Sequence, residues 1–236
     1  MSRPRIIFLS GMGADERLLE PQHALDAEII VAPWIPAEPD DTLATYAVRL
    51  AKTIDTSQPF FLGGISLGGM LAYEMAPLLG PNLRGLIVIV ACTSNQGIPR
   101  LYRSIGRFVA LMPAFTMRIG KSVVPAIRKL FGISTKEQTQ RFQAMLKDAD
   151  VHFLKWSLGA VLRWPGATLP PTVPVLTIAA ERDLIVPRRL ARADHTVAGA
   201  GHTVNVTHAA EVNRLITDWL KSRPAELNLP GARTAL

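Results

Sequence analysis

Three short stretches of the chain hold residue types that together can break an acyl bond. The first is Gly64-Ile65-Ser66-Leu67-Gly68, a G-x-S-x-G run with Phe60-Phe61-Leu62 before it and a helical pattern after it. On such a strand-to-helix turn the serine is forced into a strained backbone, and its hydroxyl stands at a helix N-terminus that favours developing negative charge. A serine hydroxyl needs a base to take its proton, and the base needs a carboxylate to orient it. In an open parallel sheet these partners are expected in the order Ser, Asp or Glu, His, each just past a strand. Asp183 follows the apolar run Val173–Ala180, and His202 follows Ala193–Ala198 within Gly199-Ala200-Gly201-His202-Thr203. Both fit by order and context, with Glu181 as the alternative acid. The other histidines fit less well: His23 precedes the relevant strands, His152 sits in a helical stretch, His195 lies inside a strand and His208 opens the last helix. Acyl transfer also needs two N–H donors for the oxyanion, each worth about 3 kcal/mol. The expected donors are the N–H of Leu67, directly after the serine, and that of Met12 in the turn Ser10-Gly11-Met12-Gly13.

The elements that must position these groups can be read from periodicity. Arg5–Ser10, Glu28–Ala32, Phe60–Leu62 and Leu83–Ala91 are β-branched, aromatic or continuously apolar runs, each closed by Gly, Pro or a polar turn. Leu43, Tyr46, Ala47, Leu50, Ala51 and Ile54 recur on one helical face behind a cap at Asp40-Asp41-Thr42, and Leu67–Leu79 is helical up to Gly80-Pro81. Strand and helix alternate, which predicts a mostly parallel α/β sheet with right-handed crossovers. The alternation then stops. Ile98–Met112, Phe115–Leu130, Thr135–Lys147 and Val151–Leu162 all read as amphipathic helices. Strands resume at Val173–Ala180 and Ala193–Ala198, and Val206–Lys221 is a final helix. The organisation expected is an α/β core over 1–92 and 166–222, a helical insertion over 93–165 and a flexible tail over 223–236.

These residues resemble the α/β-hydrolase superfamily from Ile6 to about Leu220. Ser66 matches the nucleophile of the family's elbow and His202 the histidine after the last strand. Asp183 matches the acid of the stretch G-x-x-D-x-x-[IV]-P, although Ala180 replaces the glycine. Ser10-Gly11-Met12-Gly13 aligns with the oxyanion turn His-Gly-x-Gly; Ser10 replaces the histidine, but the donor is a backbone group. The resemblance implies a helical cap at 93–165 and, with so few residues before the first strand, no N-terminal hairpin. Within the superfamily the chain looks most like small bacterial esterases of the pimeloyl-carrier-protein methyl ester esterase type. The implied activity is hydrolysis of a carboxylic ester through an acyl-enzyme, without metal or organic cofactor. A thioesterase, a lactonase, a lipase and a ligand-binding relative that has lost catalysis are the alternatives.

Composition narrows the classes. With 236 residues, 48% hydrophobic and 19% charged, the chain builds a packed core. Cys92 is the single cysteine, so no internal disulfide forms and a cysteine-based metal site is not expected; at a strand end it reads as a small buried apolar residue. Ile6–Leu9 is too short for a signal-peptide core, and Leu86–Cys92 is far short of the roughly 18 residues of a membrane span. The cytoplasm is the compartment expected. The net charge of +7 is unevenly distributed: 93–165 holds twelve basic and three acidic residues, a net +9 against −2 elsewhere. Arg100, Arg103 and Arg107 share a helix face that suits an acidic carrier protein, a CoA-linked substrate or an anionic membrane. No stacking aromatics interleave with these charges, so nucleic acid is not an expected partner.

Overall fold

The computed structural model describes residues 3–111, 128–168 and 173–223, with the side chains of 107–111, 129 and 130 outside that description. Its centre is a six-stranded sheet of β1 (Arg5–Leu9), β2 (Glu28–Val31), β3 (Phe60–Ile65), β4 (Leu83–Ile89), β5 (Val175–Ala180) and β6 (His195–Val197). The strand order is β2-β1-β3-β4-β5-β6 and every pairing is parallel, as the alternation predicts. Among the described residues β1 is the first strand, and it pairs with β2 and β3.

The strands are apolar on both faces because both are covered. Ile7 and Leu9 of β1, Phe60 and Leu62 of β3 and Leu86 and Val88 of β4 pack with Tyr46 and Leu50 of α1 (Leu43–Ala51) and Leu71 and Met75 of α2 (Leu67–Met75). Ile6, Phe8, Phe61, Ile87 and Ile89 point the other way. They meet Leu18 and Leu19 of a 3₁₀ segment (Glu16–Ala24), together with Val212, Leu215 and Ile216 of the last helix. Each large aliphatic buried this way contributes roughly 1.5–3 kcal/mol of transfer free energy. The 3₁₀ segment has no counterpart in the sequence reading. Pro21 lies inside it, and of the three residues it buries on one face, Leu18, Leu19 and Gln22, the last is polar, so no apolar period marks the segment.

Several boundaries move for local reasons. The helix expected over Leu67–Leu79 is α-helical only to Met75 and finishes as a 3₁₀ turn (Ala76–Leu78), since Pro77 brings no N–H to the ladder. The last helix divides at His208 into α7 (Val204–Thr207) and α8 (Ala209–Lys221), after the short α6 (Arg188–Ala191). β4 stops at Ile89 because Val90 turns to φ 47°.

Between β4 and β5 the regular elements of the described residues are helices. α3 (Arg100–Leu111), a 3₁₀ turn (Arg128–Phe131), α4 (Lys136–Asp148) and α5 (Val151–Arg163) carry no strand among the described residues. Of the helix expected over 115–130, residues 115–127 lie outside the described residues. So do 224–236, almost the whole expected tail. α4 and α5 have side-chain caps in Thr135 and Asp150, and Thr135 forms a capping box with Gln138. α3 packs on α5 through Gly106, where a Cβ would sit 2.7 Å from Leu162. α5 in turn rests on the core: the Trp156 ring lies 4.4 Å from Tyr46, and its Nε1–H donates to the Asp41 carbonyl at 2.8 Å. Arg17 reaches Asp148 at 2.8 Å, and Arg141 pairs with Glu20. Among the described residues, no helix is long and apolar enough to cross a membrane.

Candidate active site

The strand order reverses direction around β1, with β2 on one side and β3 on the other. The crevice beyond the C-terminal ends of β1 and β3 is where open α/β sheets take ligands. The turn at Ser10–Gly13 leaves β1 there, and Ser66 leaves β3 there.

Ser66 has φ 55° and ψ −114°, outside the regions comfortable for an L-residue. Such a conformation costs about 1–3 kcal/mol and persists only where surroundings enforce it. Its N–H donates to the Ile89 carbonyl at 2.9 Å, and its carbonyl accepts from the Met70 N–H at 3.1 Å. The glycines on either side have no room to be anything else. A Cβ on Gly64 would lie 2.3 Å from the backbone of Gly68, and one on Gly68 would lie 2.3 Å from the Leu9 carbonyl oxygen. The G-x-S-x-G spacing is therefore the sequence trace of strand, helix and first turn closing on one another.

His202 and Asp183 converge on this serine. Ser66 Oγ lies 2.9 Å from His202 Nε2, and His202 Nδ1 lies 2.7 Å from Asp183 Oδ2. The second carboxylate oxygen, Oδ1, accepts from the N–H groups of Ile185 at 2.8 Å and Val186 at 2.9 Å. Asp183 is 3% exposed and His202 6%, so the pair is shielded while Ser66 stays reachable. Glu181, the alternative acid, is exposed and accepts from the Gly199 N–H instead. His23, His152 and His195 are exposed, and His208 bonds the Thr207 hydroxyl; none of the four lines the cavity below.

The turn after β1 closes through the Ala14 N–H and the Gly11 carbonyl at 3.1 Å, with Gly13 at φ 72°. Ser10 Oγ–H and Trp34 Nε1–H both donate to the Ala14 carbonyl, at 2.9 and 3.1 Å, and stiffen the turn. Met12 occupies its second position, so the turn's own bond does not consume the Met12 N–H. Leu67 is the first residue of α2, where N–H groups have no intrahelical acceptor. Both residues border the same cavity as Ser66 and His202.

That cavity has a volume of about 310 Å³. Leu18, Met70, Ile98, Leu158, Val161, Leu162, Ile185 and Val186 give it apolar walls, and Tyr102, Phe131 and Phe142 add aromatic rings. Phe131 presents its ring edge-on to His202, with centroids 6.0 Å apart.

Two features escape sequence reasoning. Val90, a β-branched residue at φ 47°, is a second strained position beside the first: its neighbour Ile89 accepts the Ser66 N–H. Nothing in a valine announces a left-handed backbone. The other is the contact between Gly132 and Gly201, where a Cβ on Gly201 would lie 2.5 Å from Gly132 Cα. Next to it the Phe131 carbonyl accepts both the N–H and the hydroxyl of Thr203, at 2.9 and 2.8 Å. Cys92 is buried and lies off the cavity wall, and burial pushes its thiol up to about 11. No group of three or more His, Cys, Asp or Glu side chains suited to a metal occurs among the described residues.

Comparison with known proteins places the chain among relatives of the same fold. The biotin biosynthesis bifunctional protein BioHC of Cellvibrio japonicus is 24% identical over 252 aligned positions, covering 94% of this chain and 48% of that protein. The chain thus spans about half the length of this curated relative. Among solved structures, MenH from S. aureus superposes with a TM-score of 0.71 at 18% identity, covering 95% of this chain and 96% of the other. A thermophilic esterase from Thermogutta terrifontis gives 0.69 at 18%, covering 93% and 90%. The esterase EaEST from Exiguobacterium antarcticum gives 0.71 at 17%, covering 93% and 92%. At these identities the likeness is one of fold. The alpha/beta hydrolase family model matches residues 6–215, and the chain belongs to that family.

Proposed function

We propose that the protein is a serine hydrolase that cleaves carboxylic esters through an acyl-enzyme. The observation that carries this reading is the relay from Ser66 Oγ to His202 at 2.9 Å and from His202 to Asp183 at 2.7 Å, opening on an apolar cavity. As Ser66 attacks the acyl carbon, His202 Nε2 takes its proton. Asp183 keeps the other ring nitrogen as the donor and stabilises the imidazolium that forms. The N–H groups of Met12 and Leu67 meet the oxyanion. His202 returns the proton to the leaving alcohol, then draws one from the water that attacks the acyl-enzyme and passes it to Ser66 Oγ as the acid leaves. Thioesters and lactones present the same carbonyl to the same groups. Residues 93–165 serve as the cap that supplies the outer cavity wall, and the wall's composition favours an apolar acyl or alcohol group.

The test is a fluorophosphonate probe together with p-nitrophenyl esters of increasing acyl length. Covalent labelling at Ser66, with hydrolysis of at least one chain length lost on labelling, is the expected result. A folded protein that neither labels nor turns over any ester or thioester is a binding protein, and the hydrolase reading fails.

A further inference from the structure

The described arginines differ in whether they pair with a carboxylate. Arg3, Arg5, Arg17, Arg49, Arg141 and Arg214 form ion pairs with carboxylates. Arg100, Arg103, Arg188, Arg189 and Arg192 form none among the described residues. Arg128, Arg163 and Arg182 likewise form no ion pair among the described residues, but the first five lie on neighbouring segments, because α6 packs on the 3₁₀ turn Asn95–Gly97 that leads into α3. The same two segments expose large aliphatic side chains. Leu101 is 65% and Ile105 53% exposed on α3, with Leu184 at 49% and Leu190 at 36% on the stretch after Asp183. Arg100, Leu101, Ser104 and Ile105 are all exposed, at i, i+1, i+4 and i+5, and so make one outward sector of α3. The opposite side of these segments walls the cavity, through Ile98 and Tyr102 on one and Ile185 and Val186 on the other.

We propose that this face docks the protein on an anionic lipid bilayer, beside the entrance to the cavity. Leu101, Ile105, Leu184 and Leu190 enter the boundary between headgroups and acyl chains, while Arg100, Arg103, Arg188 and Arg189 meet the lipid phosphates. Aliphatic side chains flanked by guanidinium groups with no carboxylate partner match the layered chemistry of an anionic bilayer, apolar below and phosphate above. A bilayer takes up both, and the long arginine stems let the aliphatics sink while the guanidinium groups stay at headgroup level. Neither signal is sufficient alone: each basic residue near an anionic surface strengthens binding by about fivefold.

The experiment is flotation of the full chain with two kinds of vesicle. One is pure phosphatidylcholine; the other is phosphatidylcholine mixed equally with phosphatidylglycerol. The protein should float with the mixed vesicles and stay behind with the zwitterionic ones. It should also detach at about 1 M salt, where the screening length falls to about 3 Å. Arg188→Gln/Arg189→Gln should weaken binding by about 25-fold, and Leu101→Ser/Ile105→Ser should weaken it by at least tenfold. Both pairs lie outside the catalytic relay, so circular dichroism and turnover of a short water-soluble ester should not change. Equal flotation with both vesicle types, binding indifferent to both double substitutions, or capture of a purified acidic acyl-carrier protein without vesicle binding would each overturn the proposal. Flotation does not depend on catalysis, so its failure leaves the hydrolase reading standing.

Discussion

At the scale of single residues, the proposed nucleophile Ser66 depends on its backbone. The backbone at φ 55° lifts it clear of helix and strand, and Gly64 and Gly68 tolerate the crowding that results. Ser66→Ala keeps this packing and removes only the hydroxyl. Ester hydrolysis should fall by more than a thousandfold with an unchanged melting temperature, because the members of such a relay act as a unit. Steady-state rates and a thermal melt check this together. Asp183→Asn should be nearly as harmful, since it removes the charge beside His202 while keeping the shape. Cys92 is the opposite case, a reactive type made inert. Burial pushes its pKa up to about 11, so the neutral thiol dominates at pH 8 and the sulfur is shielded besides. Iodoacetamide should leave the folded protein unmodified at pH 8 and modify it fully in urea. Because the folded state holds this proton more tightly, stability should also decline between about pH 9 and 11. Ser66, Asp183 and His202 were legible in the sequence because their order and their strand-end positions follow from how a parallel sheet presents groups. Val90 was not, because its dihedral is imposed by neighbours from elsewhere in the chain.

At the scale of elements, the segment carrying His202 is held as much by the insertion as by the sheet. The Phe131 carbonyl takes both donors of Thr203, and Gly132 and Gly201 meet backbone to backbone. Gly201→Ala would force a Cβ to within 2.5 Å of Gly132 and drive the two segments apart. The expected outcome is a kcat reduced tenfold or more with a smaller change in KM, because His202 is displaced while most of the apolar wall lies away from this contact. Thr203→Val removes one hydrogen bond, worth about 1 kcal/mol, and Thr203→Ser should restore the rate. Equal rates in all three variants would show that the insertion does not position His202. Periodicity gave α3, α4 and α5 but no hint of this contact, which joins residues about seventy positions apart. The 3₁₀ segment Glu16–Ala24 leaves no apolar period in the sequence because Gln22, which completes its buried face with Leu18 and Leu19, is polar and Pro21 stands beside it.

At the scale of the whole molecule, the question is what makes core and insertion fold as one body. Asp41 sits at that junction. It is 6% exposed, and its carboxylate accepts from Arg49, from the Thr45 hydroxyl at 3.0 Å and from the Glu38 N–H at 2.8 Å. Its backbone carbonyl accepts the Trp156 ring N–H of the insertion. Burial alone would raise its pKa, but the bonds from Arg49, Glu38 and Thr45 outweigh it and hold the carboxyl below its ordinary 3.8. A carboxylate with a lowered folded pKa stabilises the native state above the unfolded pKa, and that contribution is lost as pH falls through the folded value. Asp41→Asn keeps the shape and removes the charge. It should therefore cost about 2 kcal/mol in urea unfolding at pH 7, the scale of hydrogen bonds to a charged group. The cost should shrink as pH falls below 3.8, where the wild-type carboxyl also loses its charge in the folded state. Because the same loop carries the Trp156 contact, the variant should also speed hydrogen exchange in 151–163 more than in β3 or β4. A penalty independent of pH would mean that shape, rather than charge, holds the junction.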